Sequence, residues 1–124
     1  MPAATVLIVD DDAAHMDIAT TILRHHGYQT LSAVDADQAM LLIMERRPHA
    51  VLMDVRLPRV DGWMMTRQIK DDARTASIPI IIFTASALPE DRERSAEAGA
   101  FCHLTKPCEP REIVEAVERC LSLA

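Results

Sequence analysis

Apolar residues in this chain follow two alternating patterns. Short continuous apolar runs are separated by longer stretches in which apolar positions recur every three to four residues. The runs are Thr5 to Val9, Tyr28 to Val34, Ala50 to Met53, Ile78 to Phe83 and Ala100 to Leu104. Runs this short and this rich in Val, Ile and Leu read as strands buried on both faces. The Tyr28 run is the least apolar and is expected nearer a sheet edge. The Ile78 run is the most apolar and is expected to be central.

The intervening stretches read as helices. Ala13 to His26 carries a stripe of Ile18, Ala19, Ile22 and Leu23 and stops at Gly27. Asp35 and Gln38 form a capping box that opens a helix to about Arg47, ended by Pro48. Ala39, Leu42 and Ile43 face the core there. Met40, Leu41 and Met44 fall on other faces, as a partner patch or as packing under a neighbouring helix. The helix after Asp61-Gly62 runs to about Asp72 and turns Met65 and Ile69 inward. Between Pro89 and Gly99 the only anchors are Leu88, Ala96 and Ala98, so this helix is expected to be the most loosely docked. The last helix, about Pro110 to Leu123, has a clean stripe of Ile113, Val114, Val117, Cys120 and Leu121. Five β-α units with short connections predict an α/β fold, a parallel sheet with helices on both faces. The whole chain, residues 1–124, reads as one domain.

Composition narrows the function. A net charge of −6 argues against non-specific binding to nucleic acid or to an anionic membrane. No apolar run approaches the roughly 18 residues of a membrane span. The N-terminus, MPAATVLIVDDD, is not a secretory signal, and a cytoplasmic location is expected. Cys102, Cys108 and Cys120 are expected as reduced, partly buried thiols. A metal site from Cys102, His103 and Cys108 matches no zinc spacing.

The strand ends carry the chemistry. Asp10 and Asp11 end the first strand, Asp54 the third and Thr84 the fourth, and Lys106 follows the fifth. A parallel sheet puts all these carboxyl ends on one edge, where ligands bind in open α/β folds. Each acid taken alone reads as a helix cap or turn residue. Three carboxylates and one ammonium in one place carry a formal charge of −2. Hard oxygen donors with that deficit favour Mg²⁺. A hydroxyl, a lysine and the absence of a glycine-rich loop suit a single phosphoryl group, with a carboxylate as acceptor.

This set resembles the receiver domain of two-component response regulators, the chemotaxis-regulator-like family. The resemblance rests on VDDD at 9–12, D-x-x-x-P-x-x-D-G from Asp54 to Gly62, Thr84-Ala85 and Lys106-Pro107, and spans essentially the whole chain. It implies a flavodoxin-like strand order 2-1-3-4-5. It also implies that Asp54 is the phosphoacceptor, with Thr84 and Lys106 completing the reaction site. Mg²⁺ would be held by Asp10, Asp11, Asp54 and the backbone carbonyl of Arg56. Thr84 and His103 would form the switch, and the peptide bond to Pro107 would be cis. Asp12 has no implied role beyond capping. The family's usual Tyr or Phe is His103 here, Arg56 is bulkier and more positive than common, and Ser86 is small.

The implied partners are a histidine kinase or histidine phosphotransfer protein as donor, and a downstream protein or output domain as reader. The domain itself would be a switch rather than an enzyme, a monomer or weak dimer without nucleic-acid or membrane binding. A degenerate receiver acting as a binding module is the alternative. A Mg²⁺-dependent phosphatase of the haloacid-dehalogenase type needs a second acid where Arg56 stands, and a cap domain. A flavodoxin needs a Ser/Thr-rich phosphate loop where Asp10, Asp11 and Asp12 stand.

Overall fold

The computed structural model describes residues 3–85 and 88–122. Ten elements alternate along the chain. They are β1 (Thr5–Val9), α1 (Ala13–His25), β2 (Gln29–Ala33), α2 (Ala36–Arg46) and β3 (Ala50–Met53), then α3 (Gly62–Asp71), β4 (Ile80–Thr84), α4 (Pro89–Ala98), β5 (Cys102–Thr105) and α5 (Pro110–Ser122). All strand pairs are parallel, in the order β2-β1-β3-β4-β5. β2 is an edge strand, as its weaker hydrophobicity predicts. β4 is internal but lies one strand off the middle, which is β3. It also starts two residues later than its apolar run, because Pro79 offers no amide to the ladder.

The continuous apolar runs are explained by two cores. Leu7, Val9, Val51, Met53, Ile80 and Ile82 point to one face, against Ala39, Ile43, Met65 and Ile69 of α2 and α3. Val6, Ile8, Ala50, Leu52 and Ile81 point to the other, against Ala19 and Leu23 of α1 and Ile113 and Val117 of α5. Alternate residues of each strand thus serve opposite faces, the period-two rule applied to a sheet covered on both sides.

Two helices differ from the expected stripes. In α1 the buried positions are Met16, Ala19 and Leu23, while Ile18 is 58% exposed. Met16 stands one turn before Ala19, so the buried stripe is rotated away from Ile18. In α4 only Ser95 and Ala98 are buried; Leu88 and Ala96 are exposed and anchor nothing. In α2, Leu41 is exposed, whereas Met40 and Leu42 pack against the core.

Caps set the helix starts. Asp12, Asp35 and Asp61 each accept a backbone N–H three residues on, from His15, Gln38 and Met64. Gln38 returns the favour to the N–H of Val34. The glycine after Asp61 has a separate reason. A Cβ on Gly62 would strike the carbonyl oxygen of Asp54 and lie 2.6 Å from Val55 Cα. Only glycine lets α3 begin this close to the strand end that carries Asp54.

Candidate functional site

The carboxyl ends of β1, β3, β4 and β5 converge as the topology requires. Asp10 and Asp54 follow β1 and β3 directly and are 4% and 8% exposed. Their backbones extend the ladder, Asp10 N–H to the Ala33 carbonyl and Asp54 N–H to the Val9 carbonyl. Each carboxylate is oriented by the loop behind it. Asp10 Oδ1 accepts the Asp12 N–H, and Asp54 Oδ1 accepts the Arg56 N–H, at 2.9 and 3.0 Å. That leaves both Oδ2 atoms directed to the site, where the Lys106 ammonium bridges them, 3.0 Å from Asp54. The side chain of Lys106 is only 8% exposed. Burial opposes its charge, but the hydrogen bonds and charges of Asp10 and Asp54 outweigh that and hold its pKa above the ordinary lysine value. The third ammonium direction meets His15 Nδ1 at 3.1 Å.

Thr84 ends β4, fully buried. Its Oγ1 is one of two buried side-chain atoms without a hydrogen-bond partner among the described residues. A buried hydroxyl left unpaired is costly and rare. The register pairs Met53 with Ile82, which puts Thr84 one step beyond the level of Asp54 on the neighbouring strand. Arg56 and Asp11 are both exposed, and Arg56 forms an isolated backbone bridge with Asp61. The Lys106–Pro107 peptide bond is cis. Ser86 lies outside the described residues.

Among the described residues, no three His, Cys, Asp or Glu side chains are grouped closely enough to hold a metal by themselves. Lys106 stands between Asp10 and Asp54, and Asp11 is exposed. The donor set nonetheless fits a hard, partly hydrated cation: the buried carboxylates of Asp10 and Asp54, with the exposed Asp11 next to Asp10 in the chain. Mg²⁺ keeps several waters and needs only one or two carboxylates. A metal site at Cys102, His103 and Cys108 is not formed. All three cysteines are free. Burial and Glu112 push the Cys108 thiol up to about 11, and burial foremost pushes Cys120 up to about 12. His103 Nδ1 is instead 2.7 Å from Ser95 Oγ on α4.

The sequence left unseen what surrounds these residues. His15 and Ser95 both touch the constellation, and neither stands at a strand end. An apolar groove of about 530 Å³ also opens beside Lys106, lined by Ile18, Ile22, Phe83, Pro107 and Ile113 among others. Nothing in the sequence signals it, since Ile18 reads there as part of the buried stripe.

Asp10, Asp54 and Lys106 stand together at the carboxyl edge of a 2-1-3-4-5 parallel sheet covered on both faces, the architecture of flavodoxin-like α/β domains. Residues 6–118 match the response regulator receiver domain family, and the chain belongs to it. It is 36% identical to the phosphate regulon transcriptional regulatory protein PhoB of Pseudomonas aeruginosa, over 98% of this chain and 53% of that protein. The chain thus spans about half the length of that relative. It is 34% identical to protein PilH of the same organism, over 96% of this chain and 98% of that one. Among solved structures it resembles the receiver domain of the sensor histidine kinase PA1611 of Pseudomonas aeruginosa, described with a magnesium ion coordinated in the active site cleft. There the TM-score is 0.89 and the identity 33%, with 97% of this chain and 98% of that one covered.

Proposed function

We propose that this receiver domain is switched by transfer of a phosphoryl group to Asp54. The observation that carries this reading is the Lys106 ammonium bridging Asp54 and Asp10 at the sheet edge. In the transfer, Asp54 Oδ2 forms a bond to phosphorus while the donor's N–P bond breaks. The electron pair stays on the donor imidazole, which takes up a proton. Lys106 neutralises the transferring phosphoryl oxygens, and the unpartnered Thr84 hydroxyl is available to donate to one of them. Asp10, Asp11, Asp54 and the Arg56 carbonyl would hold Mg²⁺. When bound, Mg²⁺ supplies further charge neutralisation at the same oxygens.

The donor is a histidine kinase or phosphotransfer protein, which must deliver a phosphohistidine past the mouth of the site. The groove under Ile18 begins at Lys106 and is apolar, which suits the packing of a donor helix beside the reacting groups. The modified Asp54 then gains charge and acceptor oxygens. Thr84 and His103 follow, and the surface around α4, β5 and α5 changes for a downstream partner or output domain.

The acceptor is tested by intact mass after incubation with Mg²⁺ and phosphoramidate. Wild type gains one phosphoryl group and Asp54→Asn gains none. Labelling of the variant at the wild-type level would reassign the acceptor.

A further inference from the structure

The docking of α4 poses a physical problem. The helix buries only Ser95 and Ala98, too little apolar area to fix its position. Polar contacts hold it instead. Trp63 Nε1 of α3 donates to Ser95 Oγ at 2.9 Å. Ser95 Oγ stands 2.7 Å from His103 Nδ1 of β5 and 3.2 Å from the Asp91 carbonyl of its own helix. The Arg94 guanidinium lies 4.0 Å from the Trp63 ring centroid. Arg92 donates to Thr105 Oγ1 at 3.1 Å.

The donor inventory fixes the direction of one bond in this cluster. An indole N–H only donates, so Ser95 is the acceptor there. Its single proton goes either to the Asp91 carbonyl, with His103 Nδ1–H then donating to Ser95 Oγ, or to His103 Nδ1, so the Ser95–His103 bond forms with either tautomer. The chain runs Trp63 to Ser95 to His103, across α3, α4 and β5. Ser95 is 2% exposed, so bulk water does not substitute for a lost partner.

We propose that Ser95 is a positioning residue that ties His103 to α4 in this conformation, and that phosphorylation of Asp54 releases this tie. The proposal rests on reading Asp54 as the acceptor and His103 as the side chain that follows Thr84. When His103 turns inward, Ser95 Oγ loses that partner and keeps only the indole N–H and the Asp91 carbonyl of its own helix. The Trp63 N–H then meets a hydroxyl that has lost one of its partners, so α3 registers the change as well. The weakest-packed helix is thereby coupled to the switch through hydrogen bonds rather than through a hydrophobic stripe.

The single tryptophan makes the relay observable. The indole N–H resonance of Trp63 is followed in wild type and Ser95→Ala, with Mg²⁺, before and after phosphoramidate, alongside intact mass. In wild type the resonance moves as phosphoryl mass is gained. Unphosphorylated Ser95→Ala shows a resonance already displaced towards the phosphorylated position and gains phosphoryl mass several-fold faster, because the Ser95 bond between α4 and His103 is gone. Trp63→Phe keeps a ring beside Arg94 and leaves Ser95 free to hold His103, so its rate stays near wild type. An acceleration as large as that of Ser95→Ala would trace the effect to α4 packing and overturn the proposal. So would a wild-type rate in Ser95→Ala, or a Trp63 resonance that stays still while mass is gained; in either case the acceptor reading survives. If wild type gains no mass, both readings fall together.

Discussion

Arg56 meets the site through its backbone, and its side chain is open to a second use. Its backbone N–H fixes Asp54 Oδ1, a job any residue but proline performs. Its side chain is exposed, and a guanidinium turned to the site could bond an outer phosphoryl oxygen and obstruct the approach of water. Arg56→Ala therefore keeps the acceptor geometry and loses its phosphoryl group several-fold faster, as expected if the contact contributes about 1 kcal/mol. An unchanged rate of mass loss in the isolated domain would make the side chain a bystander. Asp11 gives the complementary case, an exposed acid whose proposed use is the metal. Millimolar Mg²⁺ should raise the Tm of wild type by a few degrees, the scale expected for weak binding to the folded state. Asp11→Ala should lose that response. A wild type indifferent to Mg²⁺ in calorimetry and in melting would remove the metal from the site.

Among the elements, α3 is the one whose placement the site cannot spare. Gly62 opens it, and the room for a Cβ is taken by the backbone of Asp54 and Val55. Alanine there gains up to about 1 kcal/mol in helix propensity. Against this stands a clash with backbone that cannot swing aside, of about 1–3 kcal/mol or more. The clash should win. Gly62→Ala should lower the Tm by several degrees and slow labelling of Asp54 by phosphoramidate, because the displaced strand end is the one that carries the acceptor. A Tm at or above wild type would show that α3 moves off freely.

For the whole molecule, the two faces of the sheet have different tasks. Asp10, Asp54 and Lys106 sit at its edge. On one side the groove beside Lys106 runs along Ile18, Ile22 and Ile113; on the other, Trp63, Ser95 and His103 bind α3, α4 and β5 together. If the groove receives the protein donor, Ile18→Glu should slow transfer from a phosphohistidine protein on the order of ten-fold. Its labelling by phosphoramidate should stay at the wild-type rate, since a small donor needs no groove. Equal loss with both donors would place the defect in the reaction site instead.

The linear chain determined the ten elements, the parallel sheet and which polar residues share its edge. These follow from local rules: apolar periodicity, aspartate caps, proline and glycine stops. Asp10, Asp54, Thr84 and Lys106 were legible because a parallel sheet sends every strand end to one side. Tertiary structure decided the contacts between residues distant in sequence. Ile18 belonged to an apparent stripe until Met16 took the buried position, because a helix face is chosen by what it packs against. Leu88, Ala96 and Ala98 were the apparent anchors of α4; of these only Ala98 is buried, and the polar docking runs through Ser95. A serine has no periodic signal. Its role depends on an indole from α3 and an imidazole from β5 arriving at the same hydroxyl, 32 and 8 residues away in the chain.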